Sequence, residues 1–246
     1  MRLLSYNIRH GGSGREAPLA AVVGACRPDV VIFQEATKPG VIERLASDCG
    51  MAQWASRPGE SLAFMSRERV AHYEWHRPRL SRHAFLEIVP AGDPLRVFGV
   101  HLAAVYAAWT EQRRTMELRA LLGAIAHHQA GFHVLMGDFN TLAPGELLDL
   151  RTLPHRLRAL VWLSGGRVRW RTIKIVLDAG YVDGFRLRHP NVPGLTFPSW
   201  APHVRLDYAF VPTGFANRLR TCKVVTHAQV KDASDHHPIL AEVGGL

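Results

Sequence analysis

Cysteine is scarce in this chain. Only Cys26, Cys49 and Cys222 carry thiols among 246 residues, their number is odd, and no two stand at CxxC spacing. That excludes a disulfide framework and a cysteine-based zinc signature, and leaves each as a small core residue. Long hydrophobic runs are missing too. No stretch approaches the roughly 18 apolar residues of a membrane-spanning helix. The opening MRLLSYNIRH lacks the apolar run and small-residue cleavage site of a secretory signal, so a cytoplasmic protein is expected, with a monomer the simplest state. No GxSxG elbow and no GxxxxGK[ST] loop occurs, which removes serine-hydrolase and P-loop chemistry. Negative charge is also short: 30 Lys and Arg face 21 Asp and Glu, for a net charge of +9 and a pI near 10.1. A basic surface attracts polyanions such as nucleic acid or anionic lipid headgroups.

The shortage of acids is sharpest between Arg151 and Leu177, where none occurs. Arg151, Arg156, Arg158, Arg167, Arg169, Arg171 and Lys174 lie there beside Trp162 and Trp170. Such a segment can track phosphates and stack bases on its aromatics. It can equally be a pair of amphipathic helices, broken at Gly165-Gly166, whose solvated face is arginine. Composition leaves both readings open.

What the chain does have is core-forming material: 47% of residues are hydrophobic and the mean hydropathy is −0.04. Short apolar runs recur, among them RLLSYNI, DVVIFQEA, SLAFMS, AFLEIVP, LRVFGVHLAA, FHVLMGDF, LDYAFVP, CKVVTHAQV and HPILAEV. Their Val, Ile and Phe content and their Gly, Pro and Asp punctuation mark them as strands. Helical patterns lie between some of them. PLAAVVGACRP stops at Pro28 and GVIERLASDCG at Gly50, a C-cap residue. The longest spans about 110–129, with Thr110 as N-cap and Met116, Leu118, Leu121, Leu122 and Ile125 as its apolar stripe. The strands are too many for a simple doubly wound sheet. Two packed sheets flanked by helices are expected, an α/β (α+β) fold in one domain over 1–246.

Several strand ends carry polar residues where apolar ones would pack better: Asn7 after SY, Glu35 after VVIFQ, His101 after FGV, Asp138 and Asn140 around VLMG, Asp207 inside RLDYAFV, and Asp235-His236 before HPIL. A carboxylate leaving a buried strand is costly unless it is paired or bound to a metal. Six such ends in one chain point to a common pocket. Its donors are hard oxygens, which suit Mg²⁺, or Mn²⁺ in its place, better than zinc. Histidines that titrate near neutrality complete a set suited to hydrolysis of a phosphate ester by activated water.

These motifs, YNIR, FQEA, GVHL, MGDFN, RLDYAFV and SDHHP, stand in the order and rough spacing of the endonuclease/exonuclease/phosphatase family. The chain resembles that family over nearly its whole length. The resemblance implies a four-layer α/β/β/α sandwich of two mainly antiparallel sheets, with the site at one end of both. It implies Glu35 as principal Mg²⁺ ligand, with Asn7 in support and Asp235 on the metal side. Asp138 and Asn140 would handle the attacking water and the scissile phosphate, Asp207 would stabilise the leaving side or the pocket, and His236 would be the active histidine. His101 matches the histidine of the deoxyribonuclease and sphingomyelinase branches; the secreted deoxyribonucleases pair theirs with a glutamate from the preceding strand, and His83 and Glu87 are the nearest positions here for that partner. Arg9 replaces the acid of the abasic-repair branch, and with Tyr106 it is a candidate contact for substrate phosphate. His237, one residue past His236, falls on the other face of a strand and reads as structural.

Nucleic acid is the favoured substrate, cleaved by an endonuclease of low sequence specificity. A phospholipid or inositol-phosphate phosphodiesterase or phosphatase would use the same core, with the basic charge serving a membrane surface. A binding module that has lost catalysis is the third reading.

Overall fold

The computed structural model describes residues 1–79, 81, 83–92, 94–104, 108–146, 151, 155, 158–159 and 171–244. Two six-stranded sheets pack face to face. The first orders its strands β11 (Leu219–Val224), β12 (Ile239–Val243), β1 (Arg2–Asn7), β2 (Val30–Gln34), β4 (Ala63–Ser66) and β3 (Gln53–Ser56). The second runs β5 (Val70–His76), β6 (Phe85–Pro90), β7 (Arg96–His101), β8 (His133–Asp138), β10 (Asp207–Pro212) and β9 (Tyr181–Asp183). Each sheet holds one parallel pair, β1 with β2 and β7 with β8; the other pairings are antiparallel.

Side-chain alternation builds the layers. Leu3, Ile32 and Phe64 face Leu86, Val97, Val134 and Met136 between the sheets. Their neighbours Leu4, Tyr6, Val31 and Phe33 turn outward, onto α1 (Glu16–Cys26) and α2 (Pro39–Asp48). On the far side Phe98, Val100, Leu135 and Phe210 lie under α3 (Ala108–Ala124) and α4 (Thr172–Asp178). Two further short helices are α5 (Gly184–Arg188) and α6 (Val230–Ala233). Strands buried on both faces need both helical layers, and this explains why the runs read as continuously apolar. The result is the expected four-layer sandwich.

Some expectations shift. Thr110 lies inside α3, which begins two residues earlier, so it is not the N-cap. Met116 is 52% exposed. Leu118, Leu121, Leu122 and Ile125 follow i, i+3, i+4, i+7 and are buried, whereas Met116 stands about 200° from Leu118 around the helix. The run CKVVTHAQV is a strand only to Val224, and Val230 starts α6. Of the acid-free segment, His155, Arg158 and Ala159 are helical and α4 begins at Thr172, while Gly165-Gly166 and both tryptophans lie outside the described residues.

Glu111 locks α3 to α4 from a buried position. Its Oε1 accepts from the Arg171 and Thr172 amides at 2.6 and 2.8 Å and from Thr172 Oγ1 at 2.9 Å. Its Oε2 accepts from Thr141 Oγ1 at 3.1 Å and from Nε of Arg114, itself fully buried, at 3.0 Å. The carboxylate thus serves as the anion at the start of α4 and as the counter-charge of a buried guanidinium. Glu111→Ala is expected to cost about 3–5 kcal/mol, read as a fall in Tm of roughly 10 °C in a thermal melt.

Candidate active site

The C-terminal ends of β1, β2, β7 and β8 and the start of β10 meet at one edge of the sandwich. Parallel pairing sets Asn7 beside Gln34 and His101 beside Asp138, and antiparallel pairing sets Asp138 against Asp207. Asp138 follows Gly137, whose φ is +152° and whose added Cβ would stand 1.9 Å from the Val100 carbonyl oxygen. Only glycine fits there, and it allows β8 to press against β7 at the point where the two side chains emerge.

Asn7, buried, bridges two acids. Its Nδ2 donates to Asp138 Oδ2 at 3.0 Å and to Glu35 Oε1 at 3.3 Å, while its Oδ1 accepts from the Arg9 amide at 2.9 Å. In this orientation the Asn7 amide positions the carboxylates rather than offering its own oxygen to an ion. Glu35 sits at positive φ (+56°) just past β2, and its Oε2 accepts from the His10 amide at 2.7 Å. Burial raises its pKa, but the His10 amide, the His101 ring and the Asn7 amide outweigh that and hold the carboxyl below the usual range.

Asp207, His236 and Asp138 form a line. Asp207 Oδ2 stands 2.9 Å from His236 Nδ1, and His236 Nε2 stands 3.8 Å from Asp138 Oδ2. Burial opposes charge on His236, yet the Asp207 and Asp138 carboxylates overcome it and raise the imidazole well above its usual range. Burial likewise raises Asp138, with Asp207 adding to it and His236 opposing. Asp138 Oδ1 accepts from the Asn140 amide at 2.8 Å, and Asn140, at φ +52°, donates Nδ2 to the Leu102 carbonyl at 2.9 Å. The Phe197 ring lies 4.9 Å from the His236 ring and walls its flank. Arg205, a conceivable partner for Asp207, pairs instead with Glu146 and Asp183, both at 2.6 Å.

His101 reaches the group through a residue that the sequence did not single out. Ser61 Oγ makes a short hydrogen bond with His101 Nδ1 and accepts from the Glu35 amide at 3.1 Å. Burial and the stacked His83 ring lower the His101 pKa to about 4, against the pull of Glu35. The other position considered as its partner, Glu87, is engaged elsewhere: it pairs with His76 at 2.7 Å and with Arg96. A hydroxyl at the mouth of a strand carries no signal in a single sequence, so Ser61 was not readable.

Asp235 adds its charge near His236 but turns its carboxylate toward the rim. Its Oδ2 is 3.4 Å from Arg9 Nε, and Arg9 is half exposed at the rim. Tyr106 lies outside the described residues. His237 turns away as expected, its Nδ1 2.9 Å from the Val225 carbonyl and its Nε2 3.1 Å from that of Ser199.

The donor set fits a hard divalent ion. Glu35, Asp138 and Asp207 place carboxylate oxygens around one mouth, and a single amide holds two of them close despite their repulsion. Ligand atoms of Asp138, Asp207 and His236 also lie within 4.8 Å of one another. With His236 Nδ1 already committed to Asp207, that trio is better suited to moving or holding a proton than to gripping an ion.

Comparison with known proteins agrees with the architecture. Over 99% of both chains, the fold matches an AP endonuclease from Archaeoglobus fulgidus (18% identity, TM-score 0.75). It matches a 3′ phosphatase from Neisseria, solved bound to product DNA hairpin, equally fully (18%, 0.74). A humanized D. rerio TDP2 matches at 17% identity and TM-score 0.67, covering 98% of this chain and 97% of that one. No curated protein matches the chain. The model of the endonuclease/exonuclease/phosphatase family matches residues 4–236, and the chain, with its sandwich and its strand-end site, belongs to that family of phosphoester-hydrolysing enzymes.

Proposed function

We propose that the protein is a Mg²⁺-dependent phosphodiesterase that cleaves nucleic acid as an endonuclease of low sequence specificity. The observation that carries this reading is the Asp207–His236–Asp138 line meeting the Asn7-bridged Glu35. It joins a cationic imidazole, a carboxyl raised toward neutrality and an ionised hard-oxygen ligand in one mouth.

Asp138 takes a proton from the attacking water, as its raised pKa equips it to do. His236, kept charged by Asp207, directs Nε2–H at a phosphate oxygen where negative charge develops. Asn140 has a second amide hydrogen beyond the one given to Leu102, and it serves the same phosphate. Mg²⁺ held by Glu35 would supply Lewis-acid stabilisation of the phosphate. His101, neutral at pH 7, is a hydrogen-bond donor rather than a strong acid. Ser61 Oγ accepts from the Glu35 amide and has its own hydrogen to give to Nδ1, which would leave the imidazole proton on Nε2. Ser61→Ala is therefore expected to lower kcat by roughly tenfold, the scale of a lost orienting hydrogen bond, in steady-state assays.

The net charge of +9, Arg9 at the rim and the acid-free segment support a polyanionic substrate. Incubation with supercoiled plasmid, RNA, sphingomyelin and inositol phosphates tests the choice. Turnover of plasmid or RNA above the others is the expected result. Lipid or inositol-phosphate turnover with intact nucleic acid would replace the reading with a lipid-directed one, and no turnover of any would favour a binding module.

A further inference from the structure

The departing oxygen of a cleaved phosphodiester needs a proton. Asp138 is occupied with the attacking water, His236 with a phosphate oxygen, and His101 is neutral at pH 7. A further imidazole stands beside them. Antiparallel register sets Leu86 opposite Gly99, so the residues just before β6 lie at the same edge as the end of β7. His83 stacks there on His101, with ring centroids 5.6 Å apart and 29° between the planes. Asp138 on β8, His101 on β7 and His83 before β6 thus stand in strand order.

A buried acid backs His83. The Glu117 side chain, from α3, has no exposure, and its Oε1 lies 3.6 Å from His83 Nδ1 and 3.4 Å from Arg113 Nε. A buried carboxylate must be met by donors, so it favours a proton on Nδ1. Nδ1 is itself buried, whereas 24% of the His83 side chain is exposed. The open edge of the ring is therefore the one away from Glu117, which carries Nε2. In the imidazolium, Nε2 holds a proton that can be given up. Ser81 Oγ donates to the His83 carbonyl at 2.6 Å and steadies the approach to β6.

The placement suits a donor to the leaving side. In-line displacement sends the departing oxygen away from the attacking water, and so away from Asp138. Two strand spacings come to about 10 Å. The span of two hydrogen bonds and an in-line O–P–O axis is of the same size, about 10 Å.

We propose that His83, oriented by Glu117, is the acid that protonates the departing oxygen. The assignment rests on the phosphodiesterase reading. As the bond from water oxygen to phosphorus forms, the bond from phosphorus to the ester oxygen breaks. The His83 Nε2 proton passes to that oxygen, and its electron pair stays on Nε2. The neutral ring then regains a proton from solvent.

Two esters separate this role from packing. An oligonucleotide departs as a sugar alkoxide, which needs a proton; a p-nitrophenyl nucleotide diester departs as a phenolate, which does not. His83→Ala and His83→Gln are each expected to lower kcat about 10²-fold on the oligonucleotide and to leave turnover of the aryl diester nearly unchanged. Glutamine offers an N–H to its neighbours but cannot yield a proton, so it would rescue a residue that merely packs on His101. Glu117→Gln is expected to show a smaller loss, again confined to the oligonucleotide. Circular dichroism checks that each variant folds. Equal losses on both esters, no loss on the oligonucleotide, or rescue by glutamine overturns the assignment alone. A wild-type protein that cleaves no oligonucleotide overturns the nucleic-acid reading, and the assignment with it.

Discussion

His236→Ala is expected to lower kcat by about 10³-fold, whereas His237→Ala leaves most of the turnover in place. The two side chains are adjacent and both buried, so burial does not separate them; their partners do. His236 spans Asp207 and Asp138, the carboxylates that set its charge. His237 ties two loop carbonyls, those of Val225 and Ser199. Removing His237 takes away the ring N–H that one of these carbonyls accepts and costs about 1–3 kcal/mol of stability, visible as a lower Tm and not as a lower kcat at a temperature where both variants are folded. A reversed pattern, with His237 essential to turnover, would mean that the line of proton-bearing groups has been assigned to the wrong histidine.

Asp138→Asn is expected to cost about 10²–10⁴-fold in kcat, and it should reshape the pH profile as well. In the wild type the base must be ionised, and burial has raised its pKa. Activity therefore rises with pH through a limb placed above the ordinary aspartate range. The cation on His236 is also needed, and the flanking carboxylates have raised its pKa. Activity then falls only at a pH above the ordinary histidine range. Asp138→Asn removes the rising limb. Asp207→Asn removes the foremost of the groups that raise His236, so the falling limb moves to lower pH. A rising limb that survives Asp138→Asn would assign the base to another group.

Much of this was legible in the chain because burial is expensive for carboxylates. Glu35, Asp138 and Asp207 stand out against Val-Ile-Phe runs, and the fold unites them at one end of the two sheets, as that cost demands. What a single sequence hides is of three kinds. Short or polar strands lack an apolar run: β3, β9 and above all β5, whose alternating His72, Glu74 and His76 sit on a solvent-facing side. Hydroxyls such as Ser61 and Ser234, which bond His101 and the Asn7 carbonyl, resemble any loop serine. The direction in which a side chain turns is not encoded by spacing either. Asn7 points its nitrogen at two acids, and Asp235 turns to Arg9 instead of joining its neighbour His236 on Asp138.

The central claim is that this strand-end mouth hydrolyses phosphodiesters with a divalent ion and His236. Nicking of supercoiled plasmid by the purified protein, in Mg²⁺ and again after EDTA, beside His236→Ala, tests it most directly. Nicking is expected to require Mg²⁺, to stop with EDTA, to return when Mg²⁺ is restored and to fall about 10³-fold in the variant. Nicking that continues in EDTA, or that proceeds undiminished without His236, would contradict it.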